Sequence, residues 1–250
     1  MDVVVPPGIS VQASSITSDG GKLVINGGGI IPNEDGTVPE GLIHFQDGWV
    51  TYLDAAAAPL TPPIGLTGAL GLELIRSTNA PVSAPVFANA PGGYKRLRLG
   101  NGSRWQSQQL VISQGGSMFL ADPSASVTLT SGVFRVEQGG LFQNDTGGTS
   151  HVGFSPNSTN ASATVSGVGS IWQTPGLVAI GAGGSQNQML IESGGKLLAN
   201  SATVGGSGAN NNRLILNGPD ASCFATNGLT LAGSQNQFLV QTGGVFTGSQ

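Results

Sequence analysis

One phrase of the sequence recurs along the chain at a nearly constant spacing. The segment at 178–194, VAIGAGGSQNQMLIESG, aligns without a gap on the segment at 202–218, ATVGGSGANNNRLILNG. The segment at 229–243, LTLAGSQNQFLVQTG, aligns after a short deletion, and LVISQGG at 110–116 precedes FRVEQGG at 134–140 by the same interval. The unit is a short apolar run closed by Gly-Gly, and a period of this length predicts a repeat architecture.

The apolar runs have the composition of short strands. They concentrate Leu, Ile, Val and Phe and are bounded by Gly, Asn and Ser, which is typical of strands rather than helices. A strand that returns every ~24 residues fits one coil of a β-solenoid, in which coils stack ~4.8 Å apart and pair in parallel. Gly-Gly then marks a corner where a positive φ favours glycine. The sequence therefore predicts an all-β, single-chain parallel β-helix with ~24-residue coils.

The repeat divides the chain into three segments. LVINGGG at 23–29 and IHFQDGW at 43–49 have the repeated form, so residues 1–53 are predicted to form N-terminal solenoid coils. Residues 54–93 are rich in Ala and Pro and break the period, which predicts an insertion. It is either a loop or arm packed on the solenoid flank or an arm that grips a neighbouring subunit. Residues 94–250 carry the main repeats.

Composition excludes several classes of protein. Charged residues are only 9% of the chain and Gly contributes 41 of 250 residues, but 38% of residues are hydrophobic and the net charge is −4, so the chain is expected to fold. The one cysteine, Cys223, has no partner for an internal disulfide, and we expect it to be buried as apolar filler. The sequence has no apolar run long enough to span a membrane, and its first residues lack the regions of an export signal, so no membrane span is expected.

The repeated phrase contains asparagines at equivalent positions. The alignment places Asn187, Asn211 and Asn236 in one row, with one asparagine in each coil. On stacked coils their amides are expected to hydrogen-bond along the axis as a ladder, as Asn and Gln side chains do in stacked strands. The phrase is therefore interpreted as a structural feature rather than a binding site.

Two motifs resemble a known family. VSGVGSIW at 165–172 and VAIGAGGSQNQMLIESGGKL at 178–197 resemble the repeats of bacterial autotransporter passengers and of PEP-CTERM-associated repeat proteins. In this comparison LNGPDASCF at 216–224 is a second copy of the first motif, with Phe224 at the position of Trp172. The resemblance covers about residues 150–250 and implies a parallel β-helix displayed at or beyond a bacterial cell surface, without a catalytic role.

Basic residues cluster at the start of the main repeats. Lys95, Arg96, Arg98 and Arg104 lie close together in the sequence, next to Trp105. Such a cluster can bind nucleic acid or acidic sugars, but the net charge of −4 opposes nucleic acid, and none is expected as a partner. A solvated face or an interface with an acidic region of another subunit are the remaining interpretations.

Candidate catalytic and metal-binding residues do not form a recognisable set. Near each closing Gly-Gly, the aligned row contains Glu137 and Glu192 with Val165 between them. Two coil spacings would separate the two glutamates by about 10 Å. This distance exceeds the ~6.5–9.5 Å between the carboxylates of an inverting glycosidase. His44 and His151 belong to no catalytic motif. The full row is Ser113, Glu137, Val165, Glu192, Leu216 and Gln241.

Calcium binding is not expected either. GGSGANNNR at 205–213 is similar to a calcium-binding nonapeptide, but Asn210 replaces the acidic residue and no tandem copy supports it. No cofactor or metal is therefore predicted.

The regular repeat continues to VFTGSQ at 245–250 without an evident capping segment. We expect either a longer passenger or an end that pairs with the next molecule, and head-to-tail contacts that do not close into rings generate filaments. The sequence thus predicts a non-catalytic structural subunit of an extracellular or cell-surface bacterial filament or surface assembly, with itself as partner. The alternatives are a cell-surface adhesin that binds glycans or other surface components and, less in keeping with the sequence, a polysaccharide-degrading β-helix enzyme.

Overall fold

The computed structural model describes residues 94–100 and 102–248 and, within residues 1–93, the strands alone; side chains are described from Arg96 onward, apart from those at 106, 128, 130 and 131. All regular structure in these residues is β-strand. The strands before residue 94 are β1 (Asp2–Val5), β2 (Ser10–Gln12), β3 (Ile16–Ser18), β4 (Lys22–Asn26), β5 (Gly29–Ile31), β6 (Ile43–Phe45), β7 (Trp49–Leu53), β8 (Leu66–Thr67), β9 (Leu70–Ile75) and β10 (Val86–Ala88). The later strands are β11 (Tyr94–Leu99), β12 (Arg104–Ser113), β13 (Ser117–Leu120), β14 (Ser126–Glu137), β15 (Leu141–Asn144), β16 (Ser150–Val152), β17 (Ser162–Ser166), β18 (Ile171–Gln173), β19 (Leu177–Ile180), β20 (Gln188–Glu192), β21 (Lys196–Ala199), β22 (Ser201–Val204), β23 (Arg213–Asn217), β24 (Ser222–Ala225), β25 (Leu229–Leu231), β26 (Gln237–Gln241) and β27 (Val245–Gly248).

The strands stack in parallel columns, each strand pairing with its counterparts in the preceding and following coils. The first face consists of β10, β12, β14, β17, β20, β23 and β26. The second face consists of β1, β4, β7, β9, β11, β13, β15, β18, β21, β24 and β27. The third face consists of β16, β19, β22 and β25. Two shorter parallel groups, β2 with β5 and β3 with β6 and β8, lie in the N-terminal part. This stacking confirms the predicted β-solenoid.

The coil length varies along the first face and is longest in the coil from β14 to β17. On the first face Val133 pairs with Ser162, whereas Arg213 pairs with Gln237 after a shorter interval that matches the period of the sequence. The difference lies in the corners, because the paired strands keep their register from coil to coil. From β14 onward the faces are therefore constant and the corners variable, whereas the pairing of β12 with β14 shifts register between Ser107 and Gln109.

Alternate residues of each strand fill the interior, because successive side chains of a strand point to opposite sides. These buried residues form continuous rows along the solenoid axis. One row on the first face is Ile112, Val136, Val165, Ile191 and Leu216, all fully buried. One row on the second face is Leu97, Met118, Phe142, Trp172, Leu197 and Cys223, also buried.

Aromatic rings join the first and second faces across the interior. The ring of Phe134 on β14 lies edge-on to Phe142 and to Trp172 on the second face, with centroids 5.0 Å apart in both pairs. Phe142 and Trp172 are themselves 4.9 Å apart in the same edge-on arrangement. Edge-to-face pairs of this kind add stability beyond the area they bury. Trp172 is therefore an interior residue.

The two glycines of each Gly-Gly corner have different roles. In the corner Glu137–Gly140, the amide of Gly140 donates a hydrogen bond to the carbonyl oxygen of Glu137 at 3.0 Å. Gln138 and Gly139 both have positive φ, 51° and 79°, so the first left-handed position is not a glycine. A Cβ at Gly140 would overlap the carbonyl oxygen of Ile112 in the preceding coil. The first glycine thus serves the turn conformation and the second the close approach of coils.

The aligned row that contains Glu137 and Glu192 is wrong by one position in two coils. The row of Glu137 contains Ser166 and Asn217 instead of Val165 and Leu216, which are fully buried. The reason is that corners from the first to the second face differ in length, and the corner from Ser166 to Ile171 is longer than that from Glu137 to Leu141. Counting back from the closing glycine therefore selects a neighbouring residue.

The residue proposed to match Trp172 is also displaced by one position. Cys223 occupies the row of Trp172 and Leu197, while Phe224 lies one position further on and is 43% exposed on the outside. The corners that precede Trp172 and Cys223 have the same length, so the interior position falls on Cys223.

The predicted insertion at 54–93 is described only through its strands. Of these, β9 pairs with β7 and β11 in the second face, and β10 pairs with β12 in the first. The segment therefore contributes strands to the stack, and its remainder lies outside the described residues. The division into 1–53, 54–93 and 94–250 stays a prediction.

Candidate functional site

A ladder of asparagine amides runs along the corner between the third and first faces. The side-chain oxygen of Asn212 accepts hydrogen bonds from the backbone and side-chain amides of Asn187, at 2.9 and 3.1 Å. Asn236 receives the equivalent pair from Asn212, at 2.9 and 3.0 Å. Asn187 in turn accepts from the backbone amide of Ala161 at 2.9 Å. Each asparagine therefore caps the backbone of the coil before it.

The ladder requires glycine in the preceding coil. Asn187 and Asn212 are fully buried, and their amides lie against Gly153 and Gly181, where a Cβ would overlap them. Both glycines also have positive φ, 79° and 71°. The glycine at the start of this corner and the asparagine of the next coil are thus one packing unit, which explains why both recur in the repeat.

The sequence alignment placed Asn211 in this ladder, and the structure places Asn212 there. Asn211 is exposed and has a φ of 58°, like Gln186 and Gln235 at the same corner position of their own coils. The corner before Arg213 is longer by one position than its predecessor, because Gln188 pairs with Arg213 rather than with Asn212. The gapless alignment could not register that insertion. Asn187 and Asn236 lie where the alignment predicted.

The last described coil exposes residues whose counterparts in the preceding coils with described side chains are buried. Leu231 aligns with Val204 and Ile180, which are fully buried, yet Leu231 is 53% exposed. Val240 aligns with the fully buried Leu216, yet it is 49% exposed. Leu229, Phe238 and Phe246 at neighbouring interior positions are partly buried. We call these five side chains the open coil surface.

The open coil surface also includes the backbone edges of the outermost described strands, β26 and β27. Among the described strands, β27 pairs with β24 and β26 with β23, so each has one neighbour within its face. An outermost strand presents unpaired backbone amides and carbonyls to any strand that stacks on it. The open coil surface therefore combines an apolar centre with strand edges, the two features that join successive coils inside the solenoid.

The basic cluster lies on the outside, but its tryptophan does not. Leu97 and Leu99 of β11 are fully buried, whereas the alternating Arg96 is partly exposed and Arg98 is exposed. Arg104 on β12 is exposed, but Trp105 is 6% exposed and belongs to the core. Trp105 is thus not available to an interface as part of this cluster. The side chain of Lys95 is outside the described residues, and an interface role for the four basic residues stays a prediction.

The candidate catalytic carboxylates do not converge. Glu137 and Glu192 are both half-buried on the outer side of the first face, with Ser166 between them in register. Two coil spacings correspond to about 10 Å. His44 lies in β6, whose side chains are outside the described residues. His151 is in β16, where its ring packs against Phe154 at 4.5 Å and desolvation lowers its pKa below the usual 6.5.

Cys223 is buried, and burial raises the pKa of its thiol to about 12, in agreement with its predicted role as filler. Among the residues whose side chains are described, no group of three or more His, Cys, Asp or Glu could hold a metal ion. In the same part of the chain there is no helix long and apolar enough to cross a membrane.

Comparison with known proteins identifies no relative: no protein-family model, no curated protein and no solved structure matches the chain. The resemblance to autotransporter passengers and PEP-CTERM-associated repeats therefore stays a prediction that is based on the motifs alone.

Proposed function

We propose that this chain is a non-catalytic structural subunit that stacks end to end with copies of itself, through the open coil surface, into an extracellular or cell-surface bacterial filament or layer. The observation that carries the proposal is the exposure of Leu231 and Val240 at positions that are fully buried in the preceding coils. A second copy that stacks a coil there would bury them as Val204 and Leu216 are buried.

The chemistry of the open coil surface favours another solenoid coil over a small ligand. Its residues are apolar, and the strand edges beside them demand a partner with a parallel backbone in register. A second copy supplies both. Because the contact joins one end of the solenoid to the opposite end of the next, it is heterologous and propagates unless the rotation closes a ring.

The spacing of the two carboxylates that were considered for catalysis supports a non-catalytic role. Glu137 and Glu192 lie in one row two coils apart, with Ser166 between them in register. Glycoside hydrolysis requires two carboxylates that flank one sugar bond.

A concentration series of the purified chain tests the proposal, using negative-stain electron microscopy and light scattering. We expect regular fibres about as wide as one solenoid, with lengths that increase with concentration. The variant Val240→Asp should abolish them, because it places a carboxylate where apolar residues must be buried. The matched control is Val168→Asp, since Val168 is 84% exposed on a lateral corner. Fibres from Val240→Asp at wild-type concentration, or wild-type monomers throughout the series, would contradict the proposal.

A glycan-binding adhesin is the second candidate, and one surface feature favours it. Phe154 is 66% exposed on the corner after β16 and stacks obliquely on His151. An exposed aromatic ring beside a hydrogen-bonding side chain offers a sugar ring one apolar and one polar contact. Glycan-array binding that is lost in Phe154→Ala, by a protein that stays monomeric, would favour this function over the filament.

A further inference from the structure

We propose that Asn157 is an acceptor site for N-linked glycosylation and that the ring of Phe154 packs against the sugar attached there. The partner is a glycosyltransferase that recognises the motif Asn-X-Ser/Thr, in which X is not proline. This inference is independent of the stacking of copies, because it concerns the corner between β16 and β17 on the flank of the solenoid.

The corner that carries Asn157 is built around a fixed turn. Residues 153–161 form the longest of the described corners between the third and first faces. The amide of Ser158 donates a hydrogen bond to the carbonyl oxygen of Ser155 at 2.9 Å, which closes a β-turn with Asn157 as its third residue. The side-chain amide of Asn187 in the next coil donates a hydrogen bond to the carbonyl oxygen of Ser158 at 3.0 Å, so the turn is anchored to the asparagine ladder.

Exposure distinguishes the asparagines that the motif selects. The motif occurs at Asn101, Asn144, Asn157 and Asn160, of which Asn101 lies outside the described residues. Asn144 is only 4% exposed, and its side chain accepts hydrogen bonds from Thr146 and donates one to Ser150. Asn157 and Thr159, which together form the recognised pair, are both exposed. In the folded protein an enzyme can therefore reach the motif of Asn157 but not that of Asn144.

The motif of Asn160 is less accessible than that of Asn157, although Asn160 itself is exposed. Its serine, Ser162, is half-buried at the start of β17, where it pairs with strands on both sides. Thr159 lies in no strand and is exposed. Because a glycosyltransferase must contact the hydroxyl residue together with the asparagine, Asn157 is the favoured acceptor.

Phe154 lies in the same corner, immediately before the turn. Its side chain is 66% exposed, and its ring lies 4.5 Å from that of His151. A sugar on Asn157 would lay the apolar side of its ring against this exposed aromatic ring and keep its hydroxyl groups in water. It would occupy the ring that the adhesin candidate offers to a free glycan, so the two uses of Phe154 exclude each other.

The transfer needs a sugar that is activated at its anomeric carbon by a diphosphate. The side-chain nitrogen of Asn157 attacks that carbon, and the new carbon–nitrogen bond forms as the carbon–oxygen bond to the diphosphate breaks. The nitrogen loses one proton, the nucleoside diphosphate or lipid diphosphate leaves, and nothing is oxidised or reduced. The product is a sugar linked to the exposed side chain of Asn157.

The experiment incubates the folded full chain with UDP-glucose and a soluble N-glycosyltransferase that recognises Asn-X-Ser/Thr, and maps the modified residues by mass spectrometry. We expect the occupancy of Asn157 to be at least about tenfold that of Asn144, because Asn144 becomes accessible only when its coil opens. The control is the peptide between Arg135 and Lys196, released by trypsin before the reaction, which contains both asparagines. As an unfolded peptide it should accept glucose at both.

Three variants sharpen the test. Thr159→Ala should abolish modification of Asn157, whereas Ser162→Ala, which removes only the motif of Asn160, should leave it unchanged. The glucosylated protein should melt roughly 2–4 °C above the unmodified protein, as expected for one added aromatic contact in a chain of this size, and Phe154→Ala should lose this shift.

A folded chain that stays unmodified at Asn157, or that is modified equally at Asn144, would overturn the acceptor site. A melting shift that persists in Phe154→Ala would overturn the role of the ring. Neither result depends on whether fibres form, so a failure of this inference is distinguishable from a failure of the proposed function.

Discussion

The covered coils and the last described coil are built from the same kinds of residue in the same register, yet they differ in what surrounds them. Ile191 and Leu216 are fully buried, whereas Val240, the next residue of their row, is 49% exposed. Ile191 and Leu216 have a described coil on both sides, whereas Val240 has a described coil on one side only. Each coil of this solenoid therefore depends on its neighbours to bury its apolar residues, as expected for a repeat protein whose stability is a sum of nearest-neighbour contacts.

The largest expected effect compares two phenylalanines of the same interior row. Phe142 is buried between coils, and Phe246 in the last described coil is only partly buried. Phe142→Ala should lower the free energy of unfolding by about 3–5 kcal/mol, and Phe246→Ala by no more than about half as much, because less surface is removed from water. Chemical denaturation at a concentration where the protein is monomeric measures both. Equal losses of unfolding free energy would contradict the view that Phe246 is less buried than Phe142.

A second comparison tests the asparagine ladder inside the covered coils. Asn212→Ala removes the acceptor of two buried donors on Asn187 and should cost about 2–3 kcal/mol of unfolding free energy. Asn211→Gly is the control, since Asn211 is exposed with a positive φ that glycine adopts easily. It should change stability by less than about 0.5 kcal/mol. A larger loss of unfolding free energy in Asn211→Gly than in Asn212→Ala would contradict the structure, because it would place Asn211 in the ladder as the sequence alignment did.

A third comparison separates backbone strain from close packing. Gly181 and Gly208 have similar positive φ, 71° and 77°, but only at Gly181 would a Cβ overlap the amide of Asn212. Gly208→Ala should cost the left-handed conformation alone, about 1 kcal/mol, and Gly181→Ala about 1–2 kcal/mol more, since the ladder must move. Thermal unfolding of the two variants gives the difference, and identical melting temperatures would mean that the ladder tolerates the methyl group.

The smallest expected effect is a pH dependence at His151. Desolvation lowers its pKa in the folded protein, so the unfolded chain binds more protons as the pH falls below about 6.5. Folding stability should therefore decline slightly from about pH 7 to about pH 5, and His151→Gln should weaken that decline. A pH titration of the unfolding midpoint in both proteins tests it, and a variant with an unchanged slope would assign the decline to other groups.

The fold was predictable from the sequence because apolar runs recur at a nearly constant spacing and Gly-Gly closes several of them. The exact rows were not, because corners change length at the surface without disturbing the faces, as between Ser166 and Ile171 or at the insertion before Arg213. The alternation of buried residues carries the missing signal: counting back by twos from Leu214 reaches Asn212 rather than Asn211. The burial of Trp105 had the same signal, because an apolar residue between polar Arg104 and Gln106 follows the alternation of a half-buried strand.

End-to-end stacking through the open coil surface is the central claim, and sedimentation velocity of the wild-type chain over a wide concentration range tests it most directly. Stacking predicts a weight-average sedimentation coefficient that rises continuously with concentration in the wild type and in Val168→Asp and stays constant in Val240→Asp. A wild-type coefficient that remains that of one monomeric rod across the whole range would contradict it.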